Sequence, residues 1–142
     1  MVTIIDYNIG NLTSIRNMLI KIGYSEVRIS KETADIESAT KLILPGVGHF
    51  DYGMQQLRSA PFFEALNRRV LADKVPVLGI CLGAQLLLDS SEEGEEKGLG
   101  WIAGKSKRFD TTRLPEGLKI PHMGWGDIKP LKESMLLKDL PE

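Results

Sequence analysis

The stretch "KVPVLGICLGAQLL", Lys74 to Leu87, decides the fold. Its apolar run Val77 to Ile80 reads as a buried strand, and Gly83 to Leu88 opens a helix. Between them stands Cys81, the only cysteine of the chain, with Gly79 and Gly83 two residues to either side. Gly-x-nucleophile-x-Gly is the spacing of a sharp strand-to-helix elbow. Such a turn holds its central residue at positive φ with the side chain exposed. The residues two positions away then come so close that a β-carbon would clash, which is the use of the glycines. Backbone N–H groups of the following helix can stabilise negative charge on the sulfur and on a developing oxyanion. The competing reading is a small cysteine buried in a tight turn. The paired glycines at a strand–helix junction favour the nucleophile.

Working outward, Val2 to Tyr7 is a compact β-branched strand and Asn8 to Asn11 a turn. Leu12, Ile15, Leu19 and Ile22 share one helical face, and Gly23 stops the helix. Glu26 to Ile29 is a second strand, and Glu32 to Ala39 a short helix or turn. Lys41 to Leu44 is a third strand, ended by Pro45-Gly46-Val47-Gly48. Pro61 to Ala72 forms a helix with Pro in its first turn and Phe62, Leu66 and Val70 inward. After Gly98 the pattern weakens, with strands expected at Lys105 to Phe109 and Gly126 to Lys129. Strands alternating with helices predict an α/β fold with a mostly parallel sheet and helices on both faces. Functional groups then gather at the carboxyl ends of the strands, where Cys81 and "PGVG" both lie. On its residues alone "PGVG" suits the second half of an oxyanion hole, a phosphate cradle or an ordinary turn.

The 142 residues suit one domain, 1–142, and 42% hydrophobic residues suffice for a core. A net charge of −1 argues against a nucleic-acid or anionic-membrane footprint. One cysteine excludes an internal disulfide framework and fits a reducing compartment. The N-terminus lacks the basic region of a signal peptide. Val75 to Leu88 is too short to span a bilayer and is interrupted by Pro76, Gly79, Gly83 and Gln85. We therefore expect a cytoplasmic protein without nucleic-acid or membrane partners. His49 and His122 show no metal-ligand spacing, and neither a metal nor a cofactor is expected.

The motifs "DYNIGN", "LILPGVGHFDYGM", "GICLGAQLL", "SSEEG…GLG" and "IPHMGWGDIKP" resemble, in this order, the class I glutamine amidotransferases. Within that family the chain is most similar to the glutaminase subunits of imidazole glycerol phosphate synthase, which serve histidine biosynthesis. The resemblance implies a flavodoxin-like three-layer fold and hydrolysis of L-glutamine to glutamate and ammonia. It implies that Cys81 is the nucleophile and that the backbone amides of Val47 and Leu82 form the oxyanion hole. It places the substrate on Gly48, Gln85 and Glu93. A carboxylate such as Glu93 is chemically suited to the α-ammonium of glutamine, whereas Glu92, Glu95 and Glu96 read as a solvated acidic loop. It also implies a heterodimer with a (β/α)₈-barrel cyclase that consumes the ammonia, with Pro121, His122, Met123 and Trp125 at the interface.

A cysteine of this kind needs a base, usually a histidine oriented by a carboxylate. The family carries its catalytic His and Glu in an "HPEKS"-like segment that these residues do not contain, nor is there an "HSY"-like segment. The resemblance thus implies an N-terminal fragment whose C-terminal part is missing, with uncovered hydrophobic surface and little glutaminase activity alone. Gly126, where Asn is usual, and Ala84, where Met is frequent, are smaller departures. Other readings are a cysteine-elbow α/β hydrolase or redox protein, a related amidotransferase for surface-sugar amidation, and a non-catalytic phosphate or nucleotide module built on "PGVG".

Overall fold

The computed structural model describes residues 1–113, 120, 124–134 and 137. The chain divides into two compact units, Met1–Phe109 and Asp110–Glu142. In the first, strands β1 (Val2–Ile5), β2 (Val27–Ser30), β3 (Lys41–Gly46) and β4 (Val77–Cys81) form one sheet in the order β2-β1-β3-β4. All its pairings are parallel. This is a doubly wound order, which reverses direction between β1 and β3, where such sheets open a crevice at the strand ends.

Alternation along the strands assigns the two faces. Val2, Ile4 and Ile43 pack with Leu12, Ile15 and Leu19 of helix α1 (Leu12–Lys21). The Asn11 side chain accepts from the Ser14 N–H at the start of α1, and Gly23 takes φ 91° beyond its end. Ile5, Leu42 and Leu44 point the other way, into the larger cluster. Four helices contribute there: α2 (Thr33–Glu37) through Ile36, α3 (Phe50–Ser59) through Phe50, Met54 and Leu57, α4 (Phe63–Leu71) through Leu66, and α5 (Leu82–Leu86) through Leu82 and Leu86. Each large side chain fully buried in this way contributes roughly 1.5–3 kcal/mol relative to exposure. The α1 face is more thinly covered. No residue of α1 is fully buried, and Leu78 of β4 is left 43% exposed.

A polar knot ties β1, β2 and α2. Arg28 donates to Thr3 Oγ1 (3.0 Å), the Asp35 carbonyl (2.8 Å) and Ser38 Oγ (2.6 Å), and pairs with the Asp35 carboxylate. Ser30 donates to the second Asp35 oxygen at 2.6 Å.

Helix α3 was not anticipated, although Phe50, Met54 and Leu57 have helical spacing. Gly53 disguises it, being a poor helix former in isolation. Here it is the contact point with α5: a β-carbon at Gly53 would sit 3.1 Å from Leu82 Cδ2 and 3.3 Å from Leu86 Cδ2.

β3 also runs further than expected, through Pro45 and Gly46, which pair with Ile80 and Cys81. Proline is tolerated because its carbonyl, and hence its missing N–H, faces the β1 side. The ladder with β1 ends at Ile43, and Tyr7 supplies the bond to the Pro45 carbonyl instead.

The strand expected at Lys105 to Phe109 shrinks to β6 (Lys105–Ser106), paired with β5 (Ser90–Ser91). Gly126 to Lys129 form no strand. All four are exposed and hydrogen-bond to no other strand among the described residues, so nothing holds them extended.

Candidate active site

Cys81 ends β4 and caps α5 with φ 55° and ψ −120°, a region of backbone space that costs a non-glycine residue strain. The expected elbow is therefore formed, with Cys81 exposed. Both flanking glycines are required by close approach. A β-carbon on Gly79 would lie 2.5 Å from Ala84 Cα, and one on Gly83 would lie 1.8 Å from the Leu44 carbonyl oxygen. Strand β4 cannot turn directly into α5 beside β3 with anything larger at these positions.

The register sets the second wall. Gly46 is the partner of Cys81 across the β3–β4 ladder, so Val47 is the first residue beyond that partner. Val47 is exposed, and Gly48 has φ 105° with open space where a side chain would project. Leu82 is the first residue of α5, where backbone N–H groups have no partner within the helix.

Gln85 lies four residues past Cys81, on the same side of α5. Together with Ser91, Glu93, Ser106, Lys107 and Arg108 it lines a cleft of about 280 Å³. The structure thus brings Gln85 and Glu93 into one cavity. Glu93 Oε2 accepts the Phe50 N–H at the start of α3 (3.2 Å), which fixes the carboxylate while leaving acceptor capacity on the group.

Two residues of this region were missed. The first is Asp51, whose carboxylate accepts the N–H groups of Glu96 (2.9 Å) and Glu95 (3.1 Å) and so clamps the loop that carries Glu93. These bonds, the Glu96 one foremost, hold the Asp51 carboxyl below its ordinary range, with a smaller push from His49. The second is Tyr7, only 2% exposed, which donates its hydroxyl to the Pro45 carbonyl. Burial foremost, with a smaller electrostatic contribution from Cys81, pushes the Tyr7 phenol far above its usual range and keeps it a donor. Neither residue shows a local pattern, because each acts on a segment about forty residues away in the chain.

The acidic loop is less free than its sequence suggests. Glu92 accepts the Arg108 N–H at 3.0 Å and pairs with Lys105 at 3.8 Å, and Glu96 accepts from Gln55 at 3.3 Å. His49 caps α3, its Nδ1 accepting the Asp51 N–H at 3.3 Å. Pro121, His122 and Met123 lie outside the described residues. Trp125 is fully exposed. No cluster of potential metal ligands is found among the described residues, and no helix there is long and apolar enough to cross a membrane.

The sequence profile of the class-I glutamine amidotransferases matches residues 3–134. The chain belongs to this family. It is 50% identical to the imidazole glycerol phosphate synthase subunit HisH 2 of Methanococcus maripaludis, over 91% of this chain and 62% of the relative. It is 45% identical to subunit HisH 2 of Pseudomonas aeruginosa and 48% identical to subunit HisH of Sulfurimonas denitrificans, each over 100% of this chain and 68% of the relative. The chain thus spans 62% to 68% of the length of these relatives. Membership agrees with the parallel sheet and the elbow, and it sets aside the readings as an unrelated thiol protein or a nucleotide module.

Proposed function

We propose that the chain is the nucleophile-bearing part of a glutaminase that hydrolyses L-glutamine and hands the ammonia to a (β/α)₈-barrel cyclase making imidazole glycerol phosphate. One observation carries this reading: a strained, exposed Cys81 on an elbow whose helix also presents Gln85, with Gln85 and Glu93 sharing one cleft. The names of the relatives supply the pathway, and the match over 3–134 supports treating 1–142 as one amidotransferase domain.

In the proposed chemistry the Cys81 thiolate attacks the carboxamide carbon of glutamine. The oxygen of the tetrahedral adduct is held by the Val47 and Leu82 amides. The C–N bond then breaks, ammonia leaves, and water cleaves the glutamyl thioester to glutamate. Glu93 pairs with the α-ammonium, and Gly48 allows the substrate to lie close to the backbone. His49, engaged as a cap, is not assigned the role of base; we assign that role to a His–Glu pair outside these 142 residues. A cytoplasmic heterodimer fits the single free thiol and the exposed Trp125; Pro121, His122 and Met123 complete the proposed contact segment.

A chloroketone shaped like glutamine tests the pocket without requiring turnover. It is expected to label Cys81 at least about 10-fold faster than chloroacetone, which lacks the amino-acid end. Equal rates for the two reagents would remove the glutamine pocket from the reading. Trp125→Ala should weaken binding to the barrel subunit about 10-fold, as titration calorimetry would read; unchanged affinity would take Trp125 out of the interface.

A further inference from the structure

Tyr7 stands two residues past the end of β1, beside the switch between β1 and β3. Its ring is buried in the main core, and its hydroxyl reaches across to the Pro45 carbonyl. The approach is close enough to dictate the next residue: a β-carbon on Gly46 would stand 2.6 Å from the Tyr7 oxygen and 2.9 Å from the Gly83 N–H. Tyr7 and the elbow glycine Gly83 therefore converge on Gly46, the ladder partner of Cys81. The β1–β3 ladder has already ended at Ile43, and among the described residues Tyr7 is the donor seen on that side of the Pro45 carbonyl.

We propose that Tyr7 is a positioning residue for the oxyanion hole: its buried hydroxyl, through the Pro45 carbonyl, fixes the Gly46–Val47 peptide so that the Val47 N–H is aimed at the reacting oxygen. The inference rests on the glutaminase reading for the substrate, but its geometry concerns any carbonyl attacked by Cys81. Val47 is exposed and a β-carbon on Gly48 would meet nothing within 4 Å, so side-chain packing does little to orient the loop beyond Gly46. The buried phenol stays protonated, so the anchor works independently of pH across the neutral range.

Tyr7→Phe removes one oxygen and keeps the ring. Three reagents separate the outcomes. Iodoacetamide alkylates the thiolate by direct displacement of iodide and develops no oxyanion. The glutamine-like chloroketone and chloroacetone present a carbonyl, to which the sulfur adds before chloride is displaced. Tyr7→Phe is expected to slow the limiting rate of both chloroketones by about 10-fold, a partial loss of what one oxyanion donor supplies. The half-saturating concentration of the glutamine-like reagent and the iodoacetamide rate should stay within about two-fold of wild type, equally at pH 6.5 and 8.5. Thr3→Val is the control, because it removes a hydrogen bond of β1 to Arg28 and is not part of the elbow. Chloroketone rates unchanged in Tyr7→Phe, all three reagents slowed alike, or the same loss in Thr3→Val would each overturn the proposal. If the wild type does not prefer the glutamine-like reagent, the substrate reading fails, and chloroacetone against iodoacetamide still decides the role of Tyr7.

Discussion

Gly83 and Gly94 meet almost the same obstruction for different reasons. A β-carbon on Gly83 would lie 1.8 Å from the Leu44 carbonyl oxygen, and one on Gly94 would lie 1.9 Å from Asp51 Oδ1. The first obstacle is backbone locked in the β3–β4 ladder; the second is the end of a side chain that can rotate away. The elbow is therefore fixed by covalent geometry and main-chain packing, whereas the loop carrying Glu93 is fixed by a carboxylate. The proposed nucleophile is held by a part of the molecule that cannot adapt. The proposed substrate contact is held by one that can be loosened by mutation or by acid.

Substitution at the two glycines exposes the contrast most sharply. Gly83→Ala should leave no soluble folded protein, or cost more than about 4 kcal/mol in denaturant titration, because the ladder must open to admit a methyl group. Gly94→Ala should fold and melt within about 5 °C of wild type, since Asp51 can swing aside. Its cost should be largely absent in an Asp51→Ala background, a coupling that a double-mutant cycle would read. If Gly94→Ala proved as damaging as Gly83→Ala, the distinction between backbone and side-chain support would be lost.

The same distinction explains what could be read in advance. The elbow was legible because its cause is local: Gly79, Cys81 and Gly83 lie within five residues, and their spacing states the steric problem. The first three strands were legible from continuous apolar runs, as suits a parallel sheet covered on both faces. Helix α3 was hidden by Gly53, whose role appears only against Leu82 and Leu86. Asp51 and Tyr7 were hidden because their partners, the 95–96 amides and the Pro45 carbonyl, are remote in sequence. The expected strand at Gly126 to Lys129 failed for the opposite reason: an extended-looking run needs a ladder partner that composition cannot supply.

Cys81→Gly gives a smaller effect and a reversed sign. Strain at a non-glycine residue of this conformation costs about 1–3 kcal/mol, while glycine raises unfolded-chain entropy by about 0.4–1 kcal/mol. Strain relief exceeds the entropy, so the variant should gain about 1 kcal/mol while losing all chloroketone labelling. Cys81→Ala should lose labelling without that gain, because it keeps the β-carbon. Equal melting temperatures for the two variants would limit the stored strain to the roughly 0.4–1 kcal/mol that the chain entropy of glycine cancels, and a Cys81→Gly variant less stable than Cys81→Ala by that amount would show that the elbow stores none.

The smallest effect concerns acid. Asp51 is held below its ordinary value of 3.8 by the Glu96 and Glu95 N–H groups. A carboxyl lowered on folding lends stability that is fully present above its unfolded value and disappears as pH falls through the lower folded one. The clamp should therefore hold at neutral pH and release only below pH 3.8. Amide shifts of Glu95 and Glu96 followed by NMR should titrate together with a midpoint below 3.8, and the transition should vanish in Asp51→Asn. Because the Asp51→Asn amide side chain retains an oxygen acceptor, it should weaken the loop less than Asp51→Ala, and the stability difference from wild type should shrink as the pH drops. A midpoint at or above the ordinary carboxylate value would mean that the two N–H groups do not hold the charge, and that the loop carrying Glu93 is kept in place by its other contacts, those of Phe50 with Glu93, of Arg108 and Lys105 with Glu92 and of Gln55 with Glu96.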